Sequence, residues 1–291
     1  MKGEKHRRSS IGKGVAIMST PTDRDKRLFQ MFDSYCKSVQ DNTAKYLRRK
    51  GGFLGTCTDE MYIRWTELSI FQSHIRYHGV GPRYREPWNY SKDAQDIVRK
   101  LLKLRYRLVP YLYSESFEAS ISGLPLMRAM MLDYQEDINS HQLEDQFMFG
   151  RNVMVAPVLT KESSRSVYLP EGVWYDFWED KKYAGGCWIN MECPLDRIPV
   201  FMKEGSIFPL GREVNRTDEI GLDGVTLKIC PDKNGEASYE LRDDNFTMSM
   251  KAKINRNALD IEMNQEIDDL KIDIGNEYAI HTITVNGKGY E

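Results

Sequence analysis

The chain has 291 residues, 41% hydrophobic and 29% charged, with 41 Lys+Arg against 43 Asp+Glu and a net charge of -2. That length allows two or more domains, and the charge balance argues against a dedicated nucleic-acid binder, which carries a strongly basic face. No apolar run approaches the roughly 20 residues of a membrane span, so neither nucleic acid nor membrane is expected as a partner. The N-terminal Met1-Lys-Gly-Glu-Lys-His-Arg-Arg8 is basic but has no apolar stretch after it, unlike a secretory signal. Five cysteines, with no Cys-x-x-Cys pair, suit reduced thiols in a cytoplasmic protein better than disulfides or a metal site.

Charge divides the chain into blocks. Residues 1–50 hold 13 Lys+Arg and 5 Asp+Glu, whereas residues 211–291 hold 10 and 17. Residues 1–22 are rich in Gly, Ser, Lys and Arg and lack periodicity, as in a loose arm. Leu28, Phe32, Tyr35 and Val39 keep roughly helical spacing, so a short amphipathic helix is compatible with residues 24–50.

Clearer elements follow. Thr58-Asp-Glu caps a helix whose apolar positions are Met61, Trp65 and Leu68. Residues 73–78 read as a short strand. Asp93 then opens the longest predicted helix, with a stripe of Ile97, Leu101, Leu104 and Leu108. Pro110 kinks it or divides it in two, and Gly123 with Pro125 stops it.

Beyond Pro125 the texture is all-β. Short apolar runs at Leu126–Leu132, Val153–Val158, Val167–Leu169, Val200–Phe201 and Ile207–Leu210 alternate with Gly, Pro and Asp/Asn clusters. Leu270, Ile272 and Ile274 alternate as a half-buried strand, as do Ile283 and Val285 before an Asn286-Gly287 turn. There is no Gly-rich phosphate loop, no His-Glu-x-x-His and no Gly-x-Ser-x-Gly. Trp174 and Trp178, four apart near a strand, read as core more readily than as a sugar-stacking surface.

An ordered series of short motifs carries more information. Gly51-Gly-Phe-Leu-Gly55, Ile75-Arg-Tyr-His-Gly79, Arg85-Glu-Pro-Trp88, Leu104-Arg-Tyr-Arg-Leu108 and Pro110-Tyr-Leu-Tyr113 come first. Met127-Arg-Ala-Met-Met131, Asp145-Gln-Phe-Met-Phe-Gly150, Val153-Met-Val-Ala-Pro-Val158, Trp174-Tyr-Asp-Phe-Trp178 and Glu204-Gly-Ser-Ile207 follow. This order resembles the C-terminal part of glycoside hydrolase family 31, nearest the α-xylosidase and α-glucosidase branch, from about residue 51 to the end. The resemblance implies α/β plus all-β architecture: the end of a (β/α)8 barrel at 51–123, a proximal C-terminal β-sandwich at 124–210 and a distal one at 211–291. Residues 1–50 are a basic segment unrelated to the family.

The resemblance further implies a retaining α-glycosidase acting on terminal α-xylosides or α-glucosides. One Asp attacks the anomeric carbon and another protonates the leaving oxygen, the carboxyls standing roughly 5–5.5 Å apart. Neither the Lys-x-Asp-Phe-Gly-Glu nor the Ser-Gly-Asp type of motif occurs here, and Asp176 belongs to the Trp-Tyr-Asp-Phe-Trp motif instead. Arg49 and Lys50 stand where the family places Asp-Ile before Gly-Gly-Phe. No catalytic residue is therefore assigned, and no metal or organic cofactor is implied.

His78 falls at the end of the family's eighth barrel strand, where an imidazole hydrogen-bonds sugar hydroxyls; without the resemblance it reads as structural. Phe53 lines the sugar platform by the same comparison, or is simply a packed aromatic. Arg76, Arg85 and Glu86 read as structural charges. The intact family enzyme takes an oligosaccharide or α-glycoside as partner. A barrel end by itself lacks neighbours for its strand, so residues 51–122 are expected to dock against the β-domain, to self-associate or to meet a complementing barrel half. Three functional readings stand: an inactive part of an α-glycosidase, a non-catalytic carbohydrate-binding or complementing module, and a truncated product with no function.

Overall fold

The computed structural model describes residues 57–79, 84–243, 246–275 and 277–290. The basic segment and Phe53 therefore lie outside the described residues, as does the proposed helix within 24–50.

The helical unit follows its sequence signals closely. Helix α1 (Asp59–Ile70) begins where the Thr58 hydroxyl accepts the Met61 N–H at 3.3 Å, with Asp59 and Glu60 at the positive end of the helix dipole. Helix α2 (Lys92–Arg107) starts at Ser91, two residues before Asp93, because the Ser91 hydroxyl caps Ala94 N–H. Pro110 divides the long pattern. Leu108 closes α2 and opens α3 (Val109–Ser122), which ends at Gly123 with φ 76°. The proline sits in the first turn of α3, where its missing N–H costs nothing. One expectation fails: residues 73–78 form no strand and run as irregular chain. A strand needs a ladder partner, and here the carbonyls of Ile70, Gln72 and Ser73 accept hydrogen bonds from the Arg105 guanidinium instead.

The rest is mostly sheet. In chain order the strands are β1 (Met127–Ala129), β2 (Phe147–Phe149), β3 (Val153–Val155), β4 (Ser164–Leu169), β5 (Val173–Asp176) and β6 (Lys182–Ala184). Then come β7 (Cys187–Glu192), β8 (Val200–Lys203), β9 (Ser206–Leu210), β10 (Thr226–Cys230) and β11 (Glu236–Arg242). The last five are β12 (Thr247–Asn255), β13 (Ala258–Met263), β14 (Lys271–Ile274), β15 (Thr282–Val285) and β16 (Lys288–Gly289). Six form a sheet in the order β1-β2-β3-β8-β5-β6, eight form a sheet in the order β14-β10-β9-β11-β12-β13-β15-β16, and β4 pairs with β7 as a ribbon. The Leu126–Leu132 run is only in part a strand, since Met130–Asp133 turns into a short helix. At the far end Asn286 (φ 51°) and Gly287 (φ 75°) make the tight turn between β15 and β16 that their sequence announces.

The six-stranded sheet is covered on both faces, which explains its continuous apolar runs. Met148, Met154, Trp174 and Phe201 point to one side, where Val167 and Leu169 of the β4–β7 ribbon meet them. Phe147, Phe149, Val153, Val155, Tyr175, Val200 and Met202 point to the other side and join the main core. Trp174 is fully buried, with its indole N–H on the Pro170 carbonyl at 2.8 Å, and Trp178 donates to the Ile198 carbonyl at 2.7 Å. Both are packing residues, as their spacing suggested.

The expected docking of the helical unit on the β-domain takes place through α3. Tyr111 lies 4.3 Å from the Phe208 ring, and its hydroxyl donates to the Phe149 carbonyl at 2.8 Å. One turn on, the buried Glu115 carboxylate accepts from the Arg151 guanidinium (2.8 Å), the Arg151 backbone N–H (2.9 Å) and the Tyr239 hydroxyl (2.8 Å). These groups come from α3, the turn after β2 and strand β11. Gly150 has φ 67°, and a Cβ there would meet the Tyr111 hydroxyl and, at 2.7 Å, the Glu115 Cγ. Only glycine permits so close an approach.

Removing one partner of a buried pair leaves the other without compensation, at a cost of about 3–5 kcal/mol. Glu115→Ala is therefore expected to lower the free energy of unfolding by that order in a denaturant titration. A loss below about 1 kcal/mol, the scale of surface pairs, would show that the cluster does not hold the units together.

Candidate functional site

His78 sits at the end of the irregular segment after α1, and the packing of that segment fixes how its side chain is presented. Ile75 and Tyr77 turn inward and are half-buried, whereas His74, Arg76 and His78 are exposed. Tyr77 stacks at an angle on Tyr62 (ring centres 5.0 Å apart) and meets Trp65 edge-on, and its hydroxyl bonds Thr66 at 3.0 Å. Behind this layer Tyr62 lies flat on Tyr90, ring centres 3.8 Å apart and 8° from parallel, and its hydroxyl donates to the Arg85 carbonyl at 2.8 Å. The His78 imidazole therefore projects from an aromatic layer toward solvent. Phe53, the second sugar-contact candidate, is outside the described residues.

Arg105 anchors the start of the segment. Its guanidinium donates to the carbonyls of Ile70 (2.7 Å), Gln72 (2.5 Å) and Ser73 (2.9 Å). These are orphan acceptors at the C-terminal end of α1, where a cation also meets the negative pole of the helix. Burial lowers the Arg105 pKa to about 10, which leaves it charged at neutral pH. Arg85 and Glu86 have structural surroundings too: Arg85 is buried, and the Glu86 carboxylate accepts from the Asn89 amide.

Carboxylates are the groups that glycoside chemistry would use. The buried carboxylates among the described residues are Glu67, Glu115 and Asp176. Glu115 is bound as described above. Asp176 accepts the backbone N–H groups of Trp178 (2.8 Å) and Glu179 (2.9 Å), forming the turn after β5, and burial raises its pKa. Glu67 faces Arg64 at 3.1 Å, and Arg64 also donates to the carbonyls of Cys193 and Pro194, pinning α1 to the chain ahead of β8. All three carboxylates thus have structural partners, although the second oxygen of Glu67 is buried without one. The four described cysteines are free thiols, and no cluster of His, Cys, Asp and Glu among the described residues has metal-binding geometry.

Comparison with known proteins decides the family. The model of the glycosyl hydrolase family 31 TIM-barrel domain matches residues 49–115, and that of the family 31 C-terminal domain matches residues 123–208. The chain belongs to glycosyl hydrolase family 31. It is 35% identical over 196 residues to Alpha-glucosidase 2 of Bacillus thermoamyloliquefaciens and 36% identical over 189 residues to the Alpha-xylosidase of Saccharolobus solfataricus. These alignments cover 67% and 64% of this chain but 25% of each relative, so the chain spans about a quarter of their length. A family 31 dextranase of Flavobacterium johnsoniae, solved with isomaltotriose, superposes with a TM-score of 0.67 at 33% identity, over 78% of this chain and 31% of that one.

The Glu67 carboxyl gives the family 31 barrel end a pH dependence. Burial pushes its pKa up to about 8, against the pull of Arg64. In the unfolded chain a glutamate titrates near 4.3, so the folded state holds the extra proton between about pH 4 and pH 8. Its contribution to stability is present below that window and is lost as pH rises through it. The urea midpoint is expected to fall from pH 5 to pH 8, and Glu67→Gln to reduce that fall. An unchanged slope in the variant would rule out Glu67 as its source.

Proposed function

We propose that this chain supplies the closing wall of the barrel and the C-terminal sheet domains of a retaining α-glycosidase, acting on terminal α-xylosides or α-glucosides in cytoplasmic carbohydrate metabolism. In this reading residues 51–123 are the barrel end, 124–210 the proximal sandwich and 211–291 the distal one. Strand β9 lies wholly before the last boundary but pairs with β10 in the eight-stranded sheet, so by its pairing it belongs with the distal part. The imidazole of His78 hydrogen-bonds hydroxyls of the bound sugar, and Phe53 forms part of the sugar platform. The relatives named Alpha-glucosidase and Alpha-xylosidase support the substrate class, and the dextranase solved with isomaltotriose supports an oligosaccharide ligand.

One observation carries the catalytic part of the proposal. Each buried carboxylate among the described residues is committed to a structural partner, and neither catalytic Asp motif occurs in residues 1–291. The chain alone then positions sugar without attacking it. The 62% exposed side chain of Tyr84 favours a further reading, in which a complementing barrel half covers this side of the helical unit.

The purified chain is expected to leave nitrophenyl α-xyloside and nitrophenyl α-glucoside intact. Adding a family 31 barrel half that carries both aspartates restores release of nitrophenol, and His78→Ala in this chain then lowers kcat/KM by about tenfold to a hundredfold, the scale of a hydrogen bond in a charged site. Turnover by the chain alone that disappears on substituting one of its own aspartates would reveal a nucleophile and overturn the proposal.

A further inference from the structure

A second concave site lies along α2, against the chain that follows β9. It is a groove of about 380 Å³, within the size range of small-ligand sites. Leu102 of α2 forms its apolar floor over the fully buried Val98, with Trp88 on one wall and Val214 with Asn215 on the other. Trp88 is held by the short helical turn Pro87–Asn89, which carries the indole upright with 73% of the residue exposed. An exposed indole beside a cavity offers a ring face on which a ligand can stack.

The polar groups of the groove select the ligand. Arg99 is paired with Asp96 at 2.5 Å, which also accepts Lys92 at 2.7 Å, and Lys103 is paired with Glu213 at 2.8 Å, so each of these cations already holds an acid. Three donor or acceptor groups remain: the Tyr106 hydroxyl, the Asn215 side-chain amide and the Trp88 indole N–H have no hydrogen-bond partner among the described residues. A flat aromatic face, an apolar floor and a ring of neutral hydrogen-bonding groups match a ligand with one apolar face and many hydroxyls.

We propose that this groove binds a neutral oligosaccharide, with one pyranose ring stacked on Trp88 and its hydroxyls bonded by Tyr106 and Asn215. The choice of a sugar among neutral ligands rests on the α-glycosidase reading above. The site itself stands on the groove. Its residues come from α2 and two flanking segments, not from the segment that carries His78, so the two sites are separable by mutation.

The test uses the full chain, with isomaltotriose and maltotriose as probes and calorimetry and tryptophan fluorescence as readouts. Sugar is expected to shift the emission of the exposed indole to the blue. Trp88→Ala weakens binding by about tenfold or more and removes the shift, and Asn215→Ala weakens binding without removing the shift. Trp188→Phe, which alters the other strongly exposed indole, leaves both readouts unchanged, and His78→Ala leaves the fluorescence shift of Trp88 in place. Circular dichroism of Trp88→Ala must match the parent chain, and Trp88→Phe, which keeps a ring, retains most of the affinity. Binding that survives Trp88→Ala, binding lost only in His78→Ala, or no binding of either sugar overturns the groove proposal. None of these results touches the α-glycosidase reading, which the complementation assay decides. Filling of the groove by an added barrel half, seen as loss of the sugar-induced shift in the complex, would assign it to protein contact and also overturn the proposal.

Discussion

The arrangement of the units depends on one buried carboxylate. Glu115 has no exposure to solvent, and it draws the guanidinium and backbone amide of Arg151 and the phenol of Tyr239, from two other elements, onto two oxygens. Taking a carboxylate out of water is costly unless every lone pair finds a donor. The cluster is therefore satisfied in only one relative placement of α3, the turn after β2 and strand β11. Apolar packing of Tyr111 on Phe208 supplies affinity between these layers, and the directional bonds around Glu115 select the orientation. Gly150 is the steric condition for both, because any side chain there would occupy the space of Tyr111 and Glu115.

The orientation reaches the candidate site through rigid steps. The Pro110 break fixes α2 relative to α3, and the mutual hydrogen bonds of Arg107 and Gly211 tie that junction to the end of β9. From α2, Arg105 holds the carbonyls that follow α1, and the Tyr62–Tyr77–Tyr90 layer orients the chain as far as His78. A side chain expected to touch sugar is thus positioned by hydrogen bonds and rings that never touch sugar. The same helix presents Leu102 to the Trp88 groove. One helix therefore serves two possible ligand surfaces while its charged side chains are paired off with neighbouring acids.

Much of this was readable in the residues. The Thr58 cap, the Leu101–Leu108 stripe, the Pro110 break, the Gly123 stop and the Asn286-Gly287 turn all act through local backbone chemistry, and all five appear as expected. The strand at 73–78 did not form, because a ladder depends on a neighbour that local sequence does not specify. The short helix at Met130–Asp133 was hidden within an apolar run, since burial on both sides erases the periodicity that separates helix from strand. Ordered motifs gave the family and pointed to His78. The groove gave no signal, because Trp88, Tyr106 and Asn215 lie 18 and 109 residues apart, and the motifs that hold Trp88 and Tyr106 do not show that they share a surface with Asn215.

The sequence by itself determined the family, the places where helices begin and end, the alternation of the outer strands and the absence of both catalytic aspartate motifs from these 291 residues. These are properties of local spacing and of residue type, and they need no knowledge of what lies across the core. Tertiary structure alone decided that Glu67, Glu115 and Asp176 have structural partners, that the tryptophans of the Trp-Tyr-Asp-Phe-Trp motif are core while Trp88 faces solvent, and that a groove walled by Trp88 exists beside α2. Partnership and exposure depend on which distant segments the fold brings within a few ångströms, and only packing in three dimensions sets those distances.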